Sequence, residues 1–473
     1  VIYGVASLLE RGLGIRWLAP GELWTVVPKR RHVAIPLGTY RETPAFAKRV
    51  IHITGVHEHD GVKYPHWHFG SADWAMRNRL NRKFEHVGRT QLRDVMAERG
   101  LTPLRGGHAM AFWMPNEPFF AAHPEYYRFD GERRKPLRGG GTQLNYSSVE
   151  TSALIAQRVL DFLERDPVAE TVGVDLNDGY GFSLDRQSRQ EWFYDERGMP
   201  IVSDSVFGFT NRVAEIVSRR FPDVAIGQLA YTRYYHQPPR FPLHPNVGIR
   251  FTLYRGSQTH PMCEARNESD AQMRRELQEW RKLTDKLLIY EYLTGYWGQM
   301  MFASGVRMIA DDIRWYRKMG FEGAMTEYEP GKPAREMLYV YARLLWNPQQ
   351  DHADIIRDFH GAAYGKGSEK MLTAYEAYRQ ANERCGYEGS GAYLAAALTQ
   401  VEGFRERMAR LMQEAEGLAE EAAEKARIQR VRNEFAQFMK QGEPLAGCKL
   451  SFDEKPSPEQ LLSSANVAPN PSF

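Results

Sequence analysis

Short β-rich runs alternate with amphipathic helical stretches from about residue 44 to 330, and this alternation constrains the fold more than any other feature. The pattern repeats eight times along the chain. Strands that alternate with helices in this way are typical of a parallel (β/α)8 barrel. The predicted strands cover 50–56, 84–87, 107–114, 171–178, 224–231, 247–254, 287–293 and 323–328. The predicted helices between them include 72–81, 90–99, 151–165, 205–220, 270–285 and 305–319.

The segments on either side of this alternation have a different character. Residues 1–40 begin with an amphipathic helix and resemble the C-terminal part of a small α/β domain. The barrel is expected over 41–332, followed by a helical region over 333–445, where apolar residues recur at spacings of three and four. Residues 446–473 are rich in Pro, Ser and Asn and predict a linker or tail. The predicted fold is therefore a TIM barrel with the remnant of an N-terminal α/β domain and a C-terminal helical region.

Composition argues against several classes of function. The net charge is +3 without a long basic run, so nucleic acid is not an expected partner. No apolar run reaches the roughly 18 residues of a membrane span. The three cysteines, Cys263, Cys385 and Cys448, form no CxxC pair, which disfavours a disulfide framework or a zinc ribbon. The favoured interpretation requires no cofactor and no metal, and the oligomeric state stays open.

Acidic residues stand at the ends of three predicted strands, the fourth, the seventh and the eighth. The active site of a parallel barrel lies at the carboxyl ends of its strands. The fourth predicted strand ends with Asp175 and Asp178, and the seventh carries Glu291 among apolar residues. A buried acid in a strand is costly unless it is used or paired. We therefore predict Asp178, Glu291 and Asp175 as catalytic carboxylates.

Further polar and aromatic residues at the strand ends are expected to contact a carbohydrate substrate. Glu327 and Glu329 share one face at the end of the eighth predicted strand. The complete set of expected substrate contacts is Glu327, Glu329, Asn177, Tyr231, Trp297, Tyr296, His108, His57 and Arg77.

Opposed carboxyl groups favour glycoside hydrolysis. One carboxylic acid protonates the leaving oxygen, while the second attacks the sugar or activates water. When the sugar carries a 2-acetamido group, that group can itself act as the nucleophile, and the second acid then orients it. Burial and neighbouring charges separate the pKa values of two such acids.

Two other functions remain open. His57 and His59 alternate at the end of the first predicted strand, and paired histidines of this kind can bind one metal, which would make the protein a metal-dependent amidohydrolase. Elemental analysis would detect such a metal. The other alternative is a non-catalytic carbohydrate-binding protein, which would bind sugar without turnover.

Several motifs, in their order along the chain, resemble known families. Residues 3–10 and 14–21 are similar to the end of the small domain that precedes the barrel in hexosaminidases and α-glucuronidases. Segments 123–127, 177–179 and 345–348, together with Tyr364 and Gly365, resemble the domain-of-unknown-function 4838 family.

That family includes glycoside hydrolase family 163, whose members are endo-β-N-acetylglucosaminidases that act on N-glycans. The resemblance implies a glycosidase acting on a complex glycan or polysaccharide, with substrate assistance where N-acetylglucosamine is cleaved. Residues 470–473 resemble the opening of a carbohydrate-binding β-sandwich. We therefore expect a piece of a longer protein that is secreted or periplasmic, with its signal region outside this sequence.

Overall fold

The structure is a computed structural model of the chain. It describes residues 2–35, 38–53, 57–59, 62–64, 69–87, 101–138, 141–166, 169–196, 198–253, 260–293, 305–328, 333–385 and 391–445.

Eight parallel strands close into a barrel in which each strand pairs with its neighbours in the sequence. The last strand pairs with the first in parallel and closes the ring. This confirms the predicted (β/α)8 barrel. The strands are β1 (Lys48–Ile53), β2 (Arg82–His86), β3 (Thr102–Gly106), β4 (Thr171–Gly173), β5 (Ala225–Ala230), β6 (Val247–Thr252), β7 (Leu287–Glu291) and β8 (Gly323–Tyr328).

The strand register decides which side chains face the barrel interior. Tyr290 on β7 is the partner of Met325 on β8, and Glu327 on β8 is the partner of His52 on β1. Because side chains alternate between the two faces of a strand, Tyr290, Glu327 and His52 share the interior face. Glu291, one residue after Tyr290, points to the opposite side, where the helices pack.

The third strand differs from its sequence prediction. We expected a strand over 107–114, but β3 ends at Gly106, and Met110–Trp113 forms a short helix. The strand Thr102–Gly106 was not predicted because it contains Pro103 and the charged Arg105, and neither residue is typical of a buried strand. Arg105 is fully buried and forms an ion pair with Asp166, which follows the helix between β3 and β4. A helix predicted over 90–99 lies outside the described residues.

Polar side chains and glycines mark the ends of the outer helices. Ser148 accepts a hydrogen bond from the Thr151 amide at one helix start, and Asn267 accepts one from the Asp270 amide at another. Gly320 ends a third helix with φ of +76°. The principal helices around the barrel are Phe69–Arg77, Val149–Arg165, Ser203–Ser218, Glu268–Leu283 and Val306–Met319.

The C-terminal part of the described chain is helical, as predicted. Buried apolar side chains pack these helices against one another and against the barrel. The helices are Arg335–Trp346, His352–Tyr364, Ser368–Cys385, Gly391–Thr399, Phe404–Leu418 and Ala422–Gly442. Shorter helices are Asn116–Ala122, Arg186–Glu191 and Thr232–Tyr235, with 3-10 turns at Glu22–Trp24, Pro124–Tyr126, Gly365–Gly367 and Glu443–Leu445.

The N-terminal helix Ile2–Leu13 is joined to the barrel by a buried acid. Glu10 is 5% exposed and forms ion pairs with both Arg79 and Arg343. Breaking a buried ion pair leaves an uncompensated charge and is strongly destabilising. Short antiparallel pairs complete the described strands: Arg16–Trp17 with Thr25–Val26, His57–His59 with Val62–Tyr64, and Phe193–Tyr194 with Pro200–Ile201.

The domain limits given above stay predictions, and the expected tail over 446–473 lies outside the described residues. Among the helices that the structure describes, none has both the length and the apolar character needed to cross a membrane.

Candidate active site

Polar side chains gather at the carboxyl ends of the barrel strands. His52, Tyr290 and Glu327 are the next-to-last residues of β1, β7 and β8. Tyr231 directly follows β5, and Asp178 lies in the segment after β4. Parallel strands bring their carboxyl ends to one rim of the barrel, which is the position of active sites in this fold.

A hydrogen-bonded chain runs through three of these residues. The Tyr290 hydroxyl donates to Glu327 Oε1 at 2.5 Å, and His52 Nδ1 lies 3.2 Å from the same hydroxyl. Burial raises the pKa of Tyr290 well above its usual value, and the neighbouring Glu327 raises it further. The hydroxyl therefore stays protonated at neutral pH and remains a hydrogen-bond donor to Glu327.

A second acid is held by a second tyrosine. The buried Tyr231 donates a hydrogen bond of 3.0 Å to Asp178 Oδ1. The His108 ring lies 5.9 Å from the Tyr231 ring, and its Nδ1 is 2.6 Å from the Leu176 carbonyl oxygen. The structure thus brings together three residues that the sequence predicted for the site: Asp178, Tyr231 and His108.

Strain in the backbone marks the same region. Thr232, directly after Tyr231, has φ of +54°. A β-branched residue in this left-handed region is an outlier that costs of order 1–3 kcal/mol, and such outliers cluster at functional sites. The turn that follows Tyr231 is therefore held in place by the surrounding structure.

Asp175 occupies the interior of the barrel below this rim. It is fully buried, forms an ion pair with Arg250 of β6 and accepts a hydrogen bond of 2.8 Å from the Gly107 amide. Burial raises the pKa of Asp175, although the Arg250 charge opposes the rise. These contacts favour a role in positioning the segments that carry His108 and Asp178. The catalytic role predicted for Asp175 stays a prediction.

Three glycines provide the space for this ion pair. A Cβ on Gly173 would lie 2.6 Å from Asp175 Oδ2, and one on Gly227 would lie 2.5 Å from Arg250 Nη1. A Cβ on Gly106 would lie about equally close to both partners, at 2.9 and 3.0 Å. A side chain at any of these strand positions would displace the ion pair.

The structure does not bring Glu291 to this cluster. Glu291 is 3% exposed, and it accepts a hydrogen bond from Tyr316 on the helix between β7 and β8. Its side chain therefore lies on the helix side of the strand, whereas the adjacent Tyr290 faces the interior. Its predicted catalytic role has no support from this geometry.

Two further predicted contacts are also placed elsewhere. The Asn177 side chain is buried and donates a hydrogen bond of 2.9 Å to the Thr142 carbonyl oxygen, so it stabilises a loop. Arg77 ends the helix before β2, near the amino end of that strand, and its guanidinium lies 5.5 Å from the Trp17 ring centre. Arg77 therefore lies at the opposite end of the barrel from the rim cluster.

The remaining predictions fall on undescribed parts of the chain. Glu329, Tyr296 and Trp297 lie outside the described residues, and His57 and His59 are described only as backbone in a short strand. Within the described portion, no group of three or more His, Cys, Asp or Glu side chains could hold a metal ion. The alternative of a metal-dependent hydrolase therefore stays untested.

A family profile described as "Domain of unknown function (DUF4838)" matches residues 20–376, most of the chain. The chain belongs to the DUF4838 family. A comparison with curated proteins gives no significant match.

Solved structures similar to this DUF4838 protein include glycoside hydrolases. CpGH89 from Clostridium perfringens, in complex with its substrate GlcNAc-alpha-1,4-galactose, has a TM-score of 0.56 at 9% identity, covering 93% of this chain and 54% of that chain. A GH138 enzyme targeting pectin rhamnogalacturonan II has a TM-score of 0.51 at 11% identity, covering 86% of this chain and 58% of that chain. At such identities the likeness establishes the fold alone. The DUF4838 chain spans little more than half the length of these proteins.

Sequence reasoning missed Tyr290, His52 and Arg250 as members of the site or its support. Strands of a parallel barrel are buried on both faces, so apolar neighbours do not reveal which face looks inward. The strand register reveals it, and a single sequence does not provide the register. The predicted strand limits of 50–56 and 287–293 gave no signal either, because the strands end earlier, at Ile53 and Glu291.

Proposed function

We propose that this DUF4838 protein is a glycoside hydrolase that cleaves a glycosidic bond in a complex glycan, with Asp178 and Glu327 as its carboxyl pair. One observation carries the proposal: Asp178 follows β4 and Glu327 belongs to β8, two strands that lie opposite each other in the closed ring. Each acid is bound by a tyrosine hydroxyl. Opposed carboxyls are what hydrolysis of a glycosidic bond requires.

The roles of the two acids follow from their surroundings. Glu327 keeps 16% of its side chain exposed and lies beside the Tyr290 hydroxyl and the His52 ring. We assign Glu327 to proton donation toward the leaving oxygen, a role in which its carboxyl is protonated when the glycan binds. The Tyr290 hydroxyl then stabilises the carboxylate that remains as the proton is transferred. Asp178, held by Tyr231, would act on the other side of the bond, as the nucleophile, as the base that activates water, or as the group that orients a 2-acetamido nucleophile.

The finer proposal is an endo-β-N-acetylglucosaminidase that uses substrate assistance. Its support is the resemblance to glycoside hydrolase family 163, together with the Asp178–Tyr231 pair. The Asp178 carboxylate can accept from an acetamido N–H, and the Tyr231 hydroxyl, which donates to Asp178 in this structure, can donate to the acetamido C=O instead. We infer a secreted or periplasmic location, because the glycoproteins that carry such glycans are mainly exported proteins. Finding the native protein in the cytosolic fraction of its host's cells would overturn that location.

The test is a screen of the purified protein against N-glycans on a glycoprotein, triacetylchitotriose and pectic oligosaccharides. Products are identified by mass spectrometry. We expect cleavage of a glycan that contains N-acetylglucosamine, and none by the double variant Asp178→Asn with Glu327→Gln. Binding of a glycan without any cleavage would instead support a carbohydrate-binding protein. Equal cleavage by the double variant would contradict the catalytic roles of Asp178 and Glu327.

A further inference from the structure

Tyr180 is an exposed aromatic residue on an otherwise tightly packed loop. Tyr180 lies two positions after Asp178, and 44% of its surface is exposed to solvent. Gly179 and Gly181 on either side press against the backbone of Gly141. A Cβ on Gly179 would lie 2.5 Å from the Gly141 Cα, and one on Gly181 would lie 2.7 Å from the Gly141 carbonyl oxygen. The backbone that carries Tyr180 is therefore fixed.

The Tyr180 ring is also supported from behind. Its centre lies 5.0 Å from that of Tyr234, which is 3% exposed and packs in turn against Phe182 at 6.1 Å. Aromatic neighbours at such separations hold each other in a defined orientation. Part of the ring thus rests on the protein interior, while a large part faces solvent.

Packed aromatic rings connect the support of Tyr180 to Asp178. Tyr235 packs against Phe182, with ring centres 6.1 Å apart, and against Tyr231, with ring centres 6.2 Å apart, and Tyr231 donates a hydrogen bond to Asp178. The exposed ring and the candidate acid therefore belong to one part of the rim. A rigid aromatic surface beside a candidate catalytic carboxyl is suited to bind the apolar face of a sugar ring.

We propose that Tyr180 is an aromatic platform that binds one pyranose ring of the glycan beside the bond that is cleaved. This inference rests on the proposed function for the nature of its ligand. Stacking depends on the ring and not on the hydroxyl, so Phe or Trp at this position retains the platform, whereas Ala removes it. The platform binds the glycan in the ground state and in the transition state alike, so its loss raises KM and leaves kcat nearly unchanged.

The test measures binding of triacetylchitotriose and of an N-glycan glycopeptide by calorimetry, and cleavage of each probe. Tyr180→Ala, Tyr180→Phe and Tyr180→Trp are compared with the control Tyr194→Ala, which removes another exposed tyrosine from a short hairpin. We expect Tyr180→Ala to weaken binding about tenfold while kcat changes by less than about threefold. Tyr180→Phe, Tyr180→Trp and Tyr194→Ala should bind as the unchanged protein does.

The two proposals fail in different ways. If the protein cleaves a probe and Tyr180→Ala binds and cleaves it normally, the platform is overturned and the proposed function stands. If binding depends on Tyr180 but no glycan is cleaved, the proposed function fails and the platform stands. Absence of binding to both probes by the unchanged protein contradicts the platform.

Discussion

The Tyr290 hydroxyl on β7 donates a 2.5 Å hydrogen bond to Glu327 on β8, and the next residue along β7, Glu291, accepts a hydrogen bond from Tyr316 on the helix side. Two acids on adjacent strands are thus held by two tyrosines on opposite faces of the barrel wall. This difference in direction separates the acid that we assign to catalysis from an acid that joins the strand to its helix.

Replacing these two tyrosines tests that difference. Tyr290→Phe removes a donor to a charged group, worth about 1.5–3 kcal/mol, so we expect kcat to fall about 10- to 100-fold. Tyr316→Phe removes the corresponding hydroxyl from Glu291 and should lower the melting temperature while kcat stays near that of the unchanged protein. Steady-state kinetics with thermal denaturation measures both. A larger loss of kcat in Tyr316→Phe would move the catalytic role to Glu291.

The buried ion pair between Arg250 and Asp175 is expected to behave as a unit. Arg250→Met leaves a buried charge without its partner and should destabilise the protein by about 3–5 kcal/mol. Adding Asp175→Asn removes that charge while an oxygen still accepts from the Gly107 amide. The double-mutant cycle, measured by urea denaturation, should therefore give a coupling energy of about 1–3 kcal/mol. Strict additivity of the two losses would contradict the pairing.

Gly173 is expected to be intolerant of a side chain. A Cβ there would lie 2.6 Å from both the Gly106 Cα and Asp175 Oδ2, and Gly173→Ala should cost about 1–3 kcal/mol through overpacking. The matched control is Gly361→Ala, where a Cβ meets nothing within 4 Å on the helix His352–Tyr364 and should add about 0.5–1 kcal/mol. Chemical denaturation of both variants gives the comparison. Equal free energies of unfolding for Gly173→Ala and Gly361→Ala would show that Gly173 is not needed to accommodate the ion pair.

The pKa of Asp358 leads us to expect a defined pH dependence of the stability of the fold. Burial raises its pKa, but hydrogen bonds from Arg16 and Tyr339, each 2.9 Å from Oδ2, outweigh burial, and the net pKa lies below its usual value. A carboxyl whose pKa is lower in the folded state stabilises the fold at neutral pH, and this contribution is lost as the pH falls through the folded-state pKa.

The melting temperature of Asp358→Asn should therefore fall below that of the unchanged protein at about pH 7, and the gap should shrink toward about pH 3. The control Asp354→Asn removes a partner of Arg357 from an exposed pair on the same helix and should change little at either pH. A gap for Asp358→Asn that widens with acid would contradict the lowered pKa.

The sequence allows the barrel to be predicted because its strands and helices alternate with distinct periodicities. The strand Gly323–Tyr328 has the limits that its apolar run predicts, and the helices that precede β4 and β8 begin within two residues of their predicted starts. The third strand escaped prediction because Arg105 is stabilised by Asp166, which is distant in the sequence. Long-range pairing of this kind is invisible to a local pattern.

The candidate site could be predicted only in part. The position of Asp178 after a strand and of Tyr231 beside another follows from the fold class. The choice between Tyr290 and Glu291 does not, because it depends on which face of β7 looks into the barrel. Only the pairing of Tyr290 with Met325, and of Glu327 with His52, decides it.

The most direct test of the proposed carboxyl pair compares kcat/KM for Asp178→Asn, Glu327→Gln and Glu291→Gln on the glycan that the unchanged protein cleaves. We expect the first two variants to lose about 10²- to 10⁴-fold and Glu291→Gln to stay within about tenfold. Circular dichroism of each variant ensures that folded proteins are compared. Near-normal rates in Asp178→Asn and Glu327→Gln, with a large loss in Glu291→Gln, would contradict the account.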